Sequence, residues 1–131
     1  MDKYHILRNP SSRLVLDGTQ TIVEARQLNK FDAQLWKLEH VDRGKFFIHN
    51  KADKGKVLDI ERESKKGANI LLCKKENGNN NQNWYINSDG SIVCANGDNL
   101  AIDVSTDGKL KLQPKSGYEN QKFEFCNKVD L

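Results

Sequence analysis

Short runs of alternating apolar and polar residues follow one another along this chain, broken at close intervals by turn dipeptides. Asn9-Pro10, Asp17-Gly18, Asn77-Gly78, Asp89-Gly90, Asn96-Gly97 and Asp107-Gly108 mark the breaks. Between the turns, β-type runs cover residues 4–8, 13–16, 21–25 and 34–41, then 45–49, 57–60, 69–73 and 83–86, then 91–95, 100–104, 109–113 and 122–126. Twelve short strands at regular spacing predict an all-β barrel or sandwich. One segment conflicts with this pattern. Residues 24–40 are rich in helix formers, with Leu28, Phe31, Leu35 and Leu38 at spacings of three and four. Read alone, the segment predicts an amphipathic helix.

A repeat decides against that helix. Gln34-Leu35-Trp36, Gln82-Asn83-Trp84 and Gln121-Lys122-Phe123 each follow an aliphatic-Asp step, at Leu16-Asp17, Leu58-Asp59 and Ile102-Asp103. In this register Gln34-Leu35-Trp36 takes the place that Gln82-Asn83-Trp84 holds as a strand, leaving room only for a short helical turn before Gln34. The chain therefore divides into three units, approximately 1–43, 44–89 and 90–131, within a single domain. The Asn-rich run 77–82 reads as a polar loop before a strand.

Composition narrows the function classes. With 131 residues, 37% hydrophobic and 30% charged, the chain suits one soluble domain with one core. A net charge of +3 argues against dedicated nucleic-acid binding, and no run is long enough to insert into a membrane. Met1-Asp2-Lys3-Tyr4-His5 carries no apolar signal segment, which predicts a cytoplasmic or non-classically secreted protein. Cys73, Cys94 and Cys126 are odd in number and widely spaced. They predict reduced thiols, with one disulfide plus a free thiol as the alternative, and no zinc site.

With these residues in view, the chain resembles the ricin B-type, Gln-x-Trp β-trefoil lectins over essentially its whole length. The stretches Gly55-Lys56-Val57-Leu58-Asp59-Ile60 and Asn99-Leu100-Ala101-Ile102-Asp103-Val104 look most like galactose-binding members from invertebrates. The resemblance implies an all-β β-trefoil: a six-stranded barrel closed at one end by three hairpins, with pseudo-threefold symmetry. Trp36, Trp84 and Phe123 would form core near the axis, with each Gln satisfying buried backbone groups.

The resemblance also implies one sugar site per unit. In such lectins the Asp accepts hydrogen bonds from adjacent hydroxyls, an Asn before the Gln adds others, and an aromatic on the third strand stacks on the sugar ring. Carried over, the first unit supplies Asp17 and Gln34, but Ala33 replaces the Asn and Glu24 falls near the stacking position. The second supplies Asp59, Asn77, Asn81 and Gln82, with Cys73 at the stacking position. The third supplies Asp103, Asn120 and Gln121, with Gln113 at the stacking position and Tyr118 as a substitute platform. The plain alternative for the three aspartates is that they cap turns. The implied partners are galactose- or N-acetylgalactosamine-terminated glycans, a homodimer remaining an open alternative. No cofactor and no metal are expected.

Two other readings stay open. The trefoil has lost sugar binding and serves as a protein-interaction module, or a basic face on the second unit binds acidic glycans. That face carries Lys45, Lys51, Lys54, Lys56, Arg62, Lys65, Lys66, Lys74 and Lys75 against Asp53, Asp59, Glu61, Glu63 and Glu76. Catalysis has no sequence support: His5, His40 and His49 stand singly, and no nucleophile elbow, phosphate loop or His-Glu-x-x-His occurs.

Overall fold

The structure is a computed structural model and describes residues 3–131; Met1 and Asp2, which open the segment read above for a signal, lie outside the described residues. Twelve strands follow the expected order. They are β1 (Ile6–Arg8), β2 (Val15–Asp17), β3 (Glu24–Arg26), β4 (Trp36–His40), β5 (Lys45–Asn50), β6 (Lys56–Ile60), β7 (Ile70–Lys74), β8 (Trp84–Ile86), β9 (Ile92–Cys94), β10 (Leu100–Val104), β11 (Leu110–Pro114) and β12 (Glu124–Cys126). No helix among the described residues is long and apolar enough to cross a membrane.

Six of these strands close a ring. β4 pairs with β5, β5 with β8, β8 with β9, and β12 with β1. A bridge between His5 and Trp36 joins β1 to β4, and the Phe123 N–H donates to the Gly90 carbonyl at 2.8 Å to join the β12 and β9 sides. The other six form hairpins β2–β3, β6–β7 and β10–β11. The hairpins bond to one another in a triangle: Ala25 N–H to Gly108 O, Leu72 N–H to Thr21 O, and Leu112 N–H to Ala68 O, at 2.8–2.9 Å. A six-stranded barrel capped by three mutually bonded hairpins is a β-trefoil.

The triangle shows why glycine stands at one corner. Gly108 has φ +85, and a Cβ there would lie 2.5 Å from the Ala25 carbonyl oxygen. Thr21 and Ala68 hold the other corners with side chains.

Trp36, Trp84 and Phe123 all belong to one buried core, with Leu16, Leu58 and Ile102. Each indole N–H still has a partner, as a buried donor requires. Trp36 donates to the Leu16 carbonyl at 3.1 Å and Trp84 to the Leu58 carbonyl at 3.2 Å. Phe123 has no such donor, so Ile102 goes without this pin.

No long helix forms over residues 24–40. The segment holds β3, a 3-10 turn at Asp32–Gln34, and β4. Its apolar spacing does not define one buried face: Leu35 is buried, whereas Leu28 and Phe31 are exposed.

Candidate functional site

Each Gln-x-aromatic motif enters its strand through a 3-10 turn: Asp32–Gln34, Asn80–Gln82 and Glu119–Gln121. The turn places the glutamine inward, where it is buried. Its amide Nε2 then divides between two acceptors. Gln34 donates to Asp17 Oδ2 and the Gln27 carbonyl, Gln82 to Asp59 Oδ2 and the Lys74 carbonyl, and Gln121 to Asp103 Oδ2 and the Pro114 carbonyl, all at 2.9–3.1 Å. Its Oε1 accepts a backbone N–H from Asn29, Glu76 or Ser116.

This corrects the assignment of Gln34, Gln82 and Gln121 as sugar contacts. Both amide hydrogens are committed inside the protein, so the glutamine orients the aspartate instead of facing a ligand. In the first two units the tryptophan completes the clamp by holding the carbonyl of the residue just before the Asp.

The three aspartates then diverge. Asp17 is 3% exposed. Its Oδ1 accepts the Thr19 N–H at 2.8 Å, an Asx turn that matches the plain turn-capping alternative. Burial pushes its carboxyl upward, but hydrogen bonds from Thr19 and Gln34 and the nearby Arg26 guanidinium outweigh burial and hold it below the ordinary 3.8. Space beside it is filled as well: a Cβ on Gly18 would lie 2.8 Å from the Asn50 side-chain amide and 3.2 Å from the Trp36 ring. The Ala33 carbonyl accepts from the Gly18 N–H and from Asn50 Nδ2.

Asp59 is half-buried. Its Oδ1 accepts the Ile60 N–H at 2.6 Å. Burial and then the Asp59 charge raise the Cys73 thiol above its ordinary range. Asn81 does not join Asp59. It donates instead to the Arg62 carbonyl at 3.2 Å, and its own N–H is capped by Asn79 Oδ1. Asn77 is exposed in the preceding turn, and no hydrogen bond links it to Asp59 among the described residues. The second unit thus brings together Asp59 and Gln82 but not Asn77 or Asn81.

The third unit assembles the polar constellation. Asn120 Nδ2 lies 2.8 Å from Asp103 Oδ1 and 2.9 Å from Oδ2, and Gln121 holds Oδ2 from behind at 3.1 Å. Asp103 and Asn120 are half-buried, and Tyr118 is 72% exposed at the start of the same 3-10 turn. The result is a fixed, partly solvated carboxylate beside a carboxamide with an aromatic on the neighbouring loop. Such a group accepts hydrogen bonds from paired hydroxyls.

Register corrects one stacking position. Asp17, Asp59 and Asp103 lie opposite Glu24, Leu71 and Lys111. The residue matching Cys73 and Gln113 is therefore Arg26, two positions beyond Glu24. Glu24 instead pairs with Arg26 and Lys109, both at 3.0 Å. One residue escapes sequence reasoning. Phe31 is 71% exposed and opens its 3-10 turn as Tyr118 does. The signal is its spacing of three before the motif glutamine, which the apparent helical pattern masks.

The fold and this three-times-built clamp define a ricin-type trefoil. The family described as ricin-type β-trefoil lectin domain-like matches residues 1–73 and 32–113, and the chain belongs to it. Among solved structures, ThreeFoil, a designed threefold-symmetric protein, superposes with TM-score 0.84 at 24% identity, over 95% of this chain and 98% of that one. The Rhizoctonia solani agglutinin gives TM-score 0.81 at 18% identity, over 97% and 96%. An exo-β-1,3-galactanase from Clostridium thermocellum gives 0.83 at 26% identity, over 95% of this chain and 30% of the enzyme. No curated protein sequence matches significantly.

Proposed function

We propose that this protein is a carbohydrate-binding lectin, acting without catalysis, whose working pocket is that of the third unit. The observation that carries the reading is the Asp103 carboxylate, held in place by Asn120 and Gln121 while remaining partly open to solvent. Asp103 accepts from two neighbouring hydroxyls, Asn120 discriminates their orientation, and Tyr118 covers the apolar sugar face. The units at approximately 1–43, 44–89 and 90–131 belong to one domain, of which the first contributes structure alone. Galactose or N-acetylgalactosamine termini are the proposed ligands, supported by the family resemblance and by a galactanase among the structural neighbours. One shallow pocket binds weakly, and a second engaged pocket or a homodimer would raise avidity by about 10²–10⁴.

A glycan array followed by titration calorimetry with lactose tests this. Wild type is expected to bind, and Asp103→Ala is expected to lose binding while Asp59→Ala retains most of it. Silence of the wild type on every glycan would sink the lectin reading; binding that survives Asp103→Ala would refute the site. The competing reading, a protein-interaction module, has one observation in its favour: Arg26, Cys73 and Gln113 stand where a stacking aromatic is expected. A silent array with a folded protein is the result it requires.

A further inference from the structure

Each motif aspartate faces a residue on the strand across its hairpin, and each of those residues is met by one from a neighbouring hairpin. Glu24, opposite Asp17, is met by Lys109; Leu71, opposite Asp59, by Ile22; Lys111, opposite Asp103, by Asn69. The three junctions are equivalent positions of the hairpin cap, and their chemistry differs. Glu24 and Lys109 neutralise each other at 3.0 Å. Ile22 and Leu71 are both apolar. At the third junction the Lys111 ammonium donates to a neutral partner, Asn69 Oδ1, at 2.5 Å, and no carboxylate lies within ion-pair distance of it among the described residues. This junction stands beside the aspartate that an asparagine joins.

Geometry carries the junction into the Asp103 pocket. Leu110 and Leu112 are buried in the core, so Lys111 between them faces outward, on the same side of the β10–β11 hairpin as Asp103. Backbone bonds join Leu112 to Gly67 at 2.7 Å and to Ala68 at 2.9 Å, which sets Asn69 beside β11. Asn69 Nδ2 in turn donates to Glu61 Oε1 at 3.0 Å. From the third unit into the second, the outer face therefore runs carboxylate, ammonium, carboxamide, carboxylate. Asp103 and Asn69 are two strand spacings apart, roughly 10 Å, a length that suits a disaccharide. All four side chains are half-buried, which limits the freedom a ligand must remove. An ammonium has three hydrogens and Asn69 takes one, while Glu61 Oε2 has no protein donor among the described residues.

We infer that Lys111, Asn69 and Glu61 form a second subsite, which takes the neutral sugar residue adjoining the one seated at Asp103. The inference rests on the lectin reading and adds the class of glycan to it: a neutral disaccharide, in preference to a single sugar or an acidic one. A hydroxyl-bearing residue accepts from Lys111 and donates to Glu61 at once. A sugar carboxylate only accepts, and of these side chains it meets two carboxylates, Glu61 and Asp103, against one ammonium.

The test titrates the full chain with galactose, lactose, lactitol and lactobionate at fixed salt, followed by NMR. Lactitol and lactobionate differ in one group, an alcohol in the first and a carboxylate in the second. Lactose is expected to bind about three- to tenfold more tightly than galactose, the gain from an added hydrogen bond, and lactitol more tightly than lactobionate. Lys111→Met, which keeps the apolar stem and removes the ammonium, is expected to bring lactose down to the affinity of galactose. Glu61→Gln is expected to narrow the gap between lactitol and lactobionate. Equal affinity of the wild type for galactose and lactose overturns the subsite and leaves the Asp103 pocket standing, as does a lactose-to-galactose ratio that Lys111→Met does not change. Tighter binding of lactobionate than of lactitol overturns the neutral preference. Failure of every one of these sugars to bind removes the lectin reading, and the subsite with it.

Discussion

Asp17 and Asp103 occupy the same place in two copies of one motif, and they have become opposites. Both follow an aliphatic residue, and both are gripped by the motif glutamine. Around Asp17 the chain closes in: Gly18 packs on Asn50 and Trp36, Thr19 caps the carboxylate, and Ala33 offers no side-chain amide. Around Asp103 an asparagine joins the carboxylate and solvent still reaches it. The comparison teaches that the glutamine clamp is scaffold in every copy. What differs is whether an asparagine side chain reaches the carboxylate, as Asn120 does, and how closely the chain packs around it, as at Gly18.

The strongest way to break the comparison is to ask whether the first copy is dispensable. Trp36→Ala is expected to lower stability by about 3–5 kcal/mol, since it empties a fully buried site and frees the Leu16 carbonyl. Urea unfolding monitored by Trp84 fluorescence would measure it. Next comes a crossed pair. Asp103→Ala is expected to cost about 1.5–3 kcal/mol of ligand binding by calorimetry, with a smaller effect on folding. Asp17→Ala is expected to do the reverse, costing about 1–3 kcal/mol of stability because the buried Gln34 amide loses a partner, with lactose affinity unchanged. If both variants behaved alike, the division of labour would be wrong.

Acid offers a subtler probe of the same division. The Asp17 carboxyl titrates below its ordinary 3.8 in the folded protein. Its contribution to stability is therefore complete above that pH and is lost as the pH falls through the lower folded value. Asp17→Asn is expected to flatten that part of the acid-unfolding curve, measured by circular dichroism. The smallest effect sharpens the comparison most. Ala33→Asn supplies the missing amide but cannot open the buried carboxylate, so calorimetric stoichiometry is expected to stay where wild type leaves it.

Much of this architecture was legible because turn residues and the repeat carry it. All twelve strands lie within or beside the runs between Asn/Asp-Gly pairs, and the short turn before Gln34 is present. The apparent helix over 24–40 was excluded only by register, because Leu28 and Phe31 supply helical spacing while facing solvent. The candidate site was half legible. Residue types named Asp103 and Asn120, but the turning of Asn81 toward the Arg62 carbonyl depends on a loop distant in sequence. The Glu24-for-Arg26 displacement arose because strand register is fixed by backbone pairing, which spacing alone does not reveal. The burial of the glutamines was foreseen as structure, yet they were also counted as contacts; a side chain whose donors are all spent inside cannot do both.

The pairing of β1 with β12 has a consequence for how the molecule comes into being. Ile6 meets Cys126, so the first strand finds its partner only in the last strand of the trefoil. During synthesis β1 waits as an open edge while the rest of the ring accumulates, and a chain stalled short of Glu124 has nothing with which to cover it. Closure is a late, long-range event, which places this trefoil among slow folders and makes the interval before β12 docks the period of greatest exposure to aggregation.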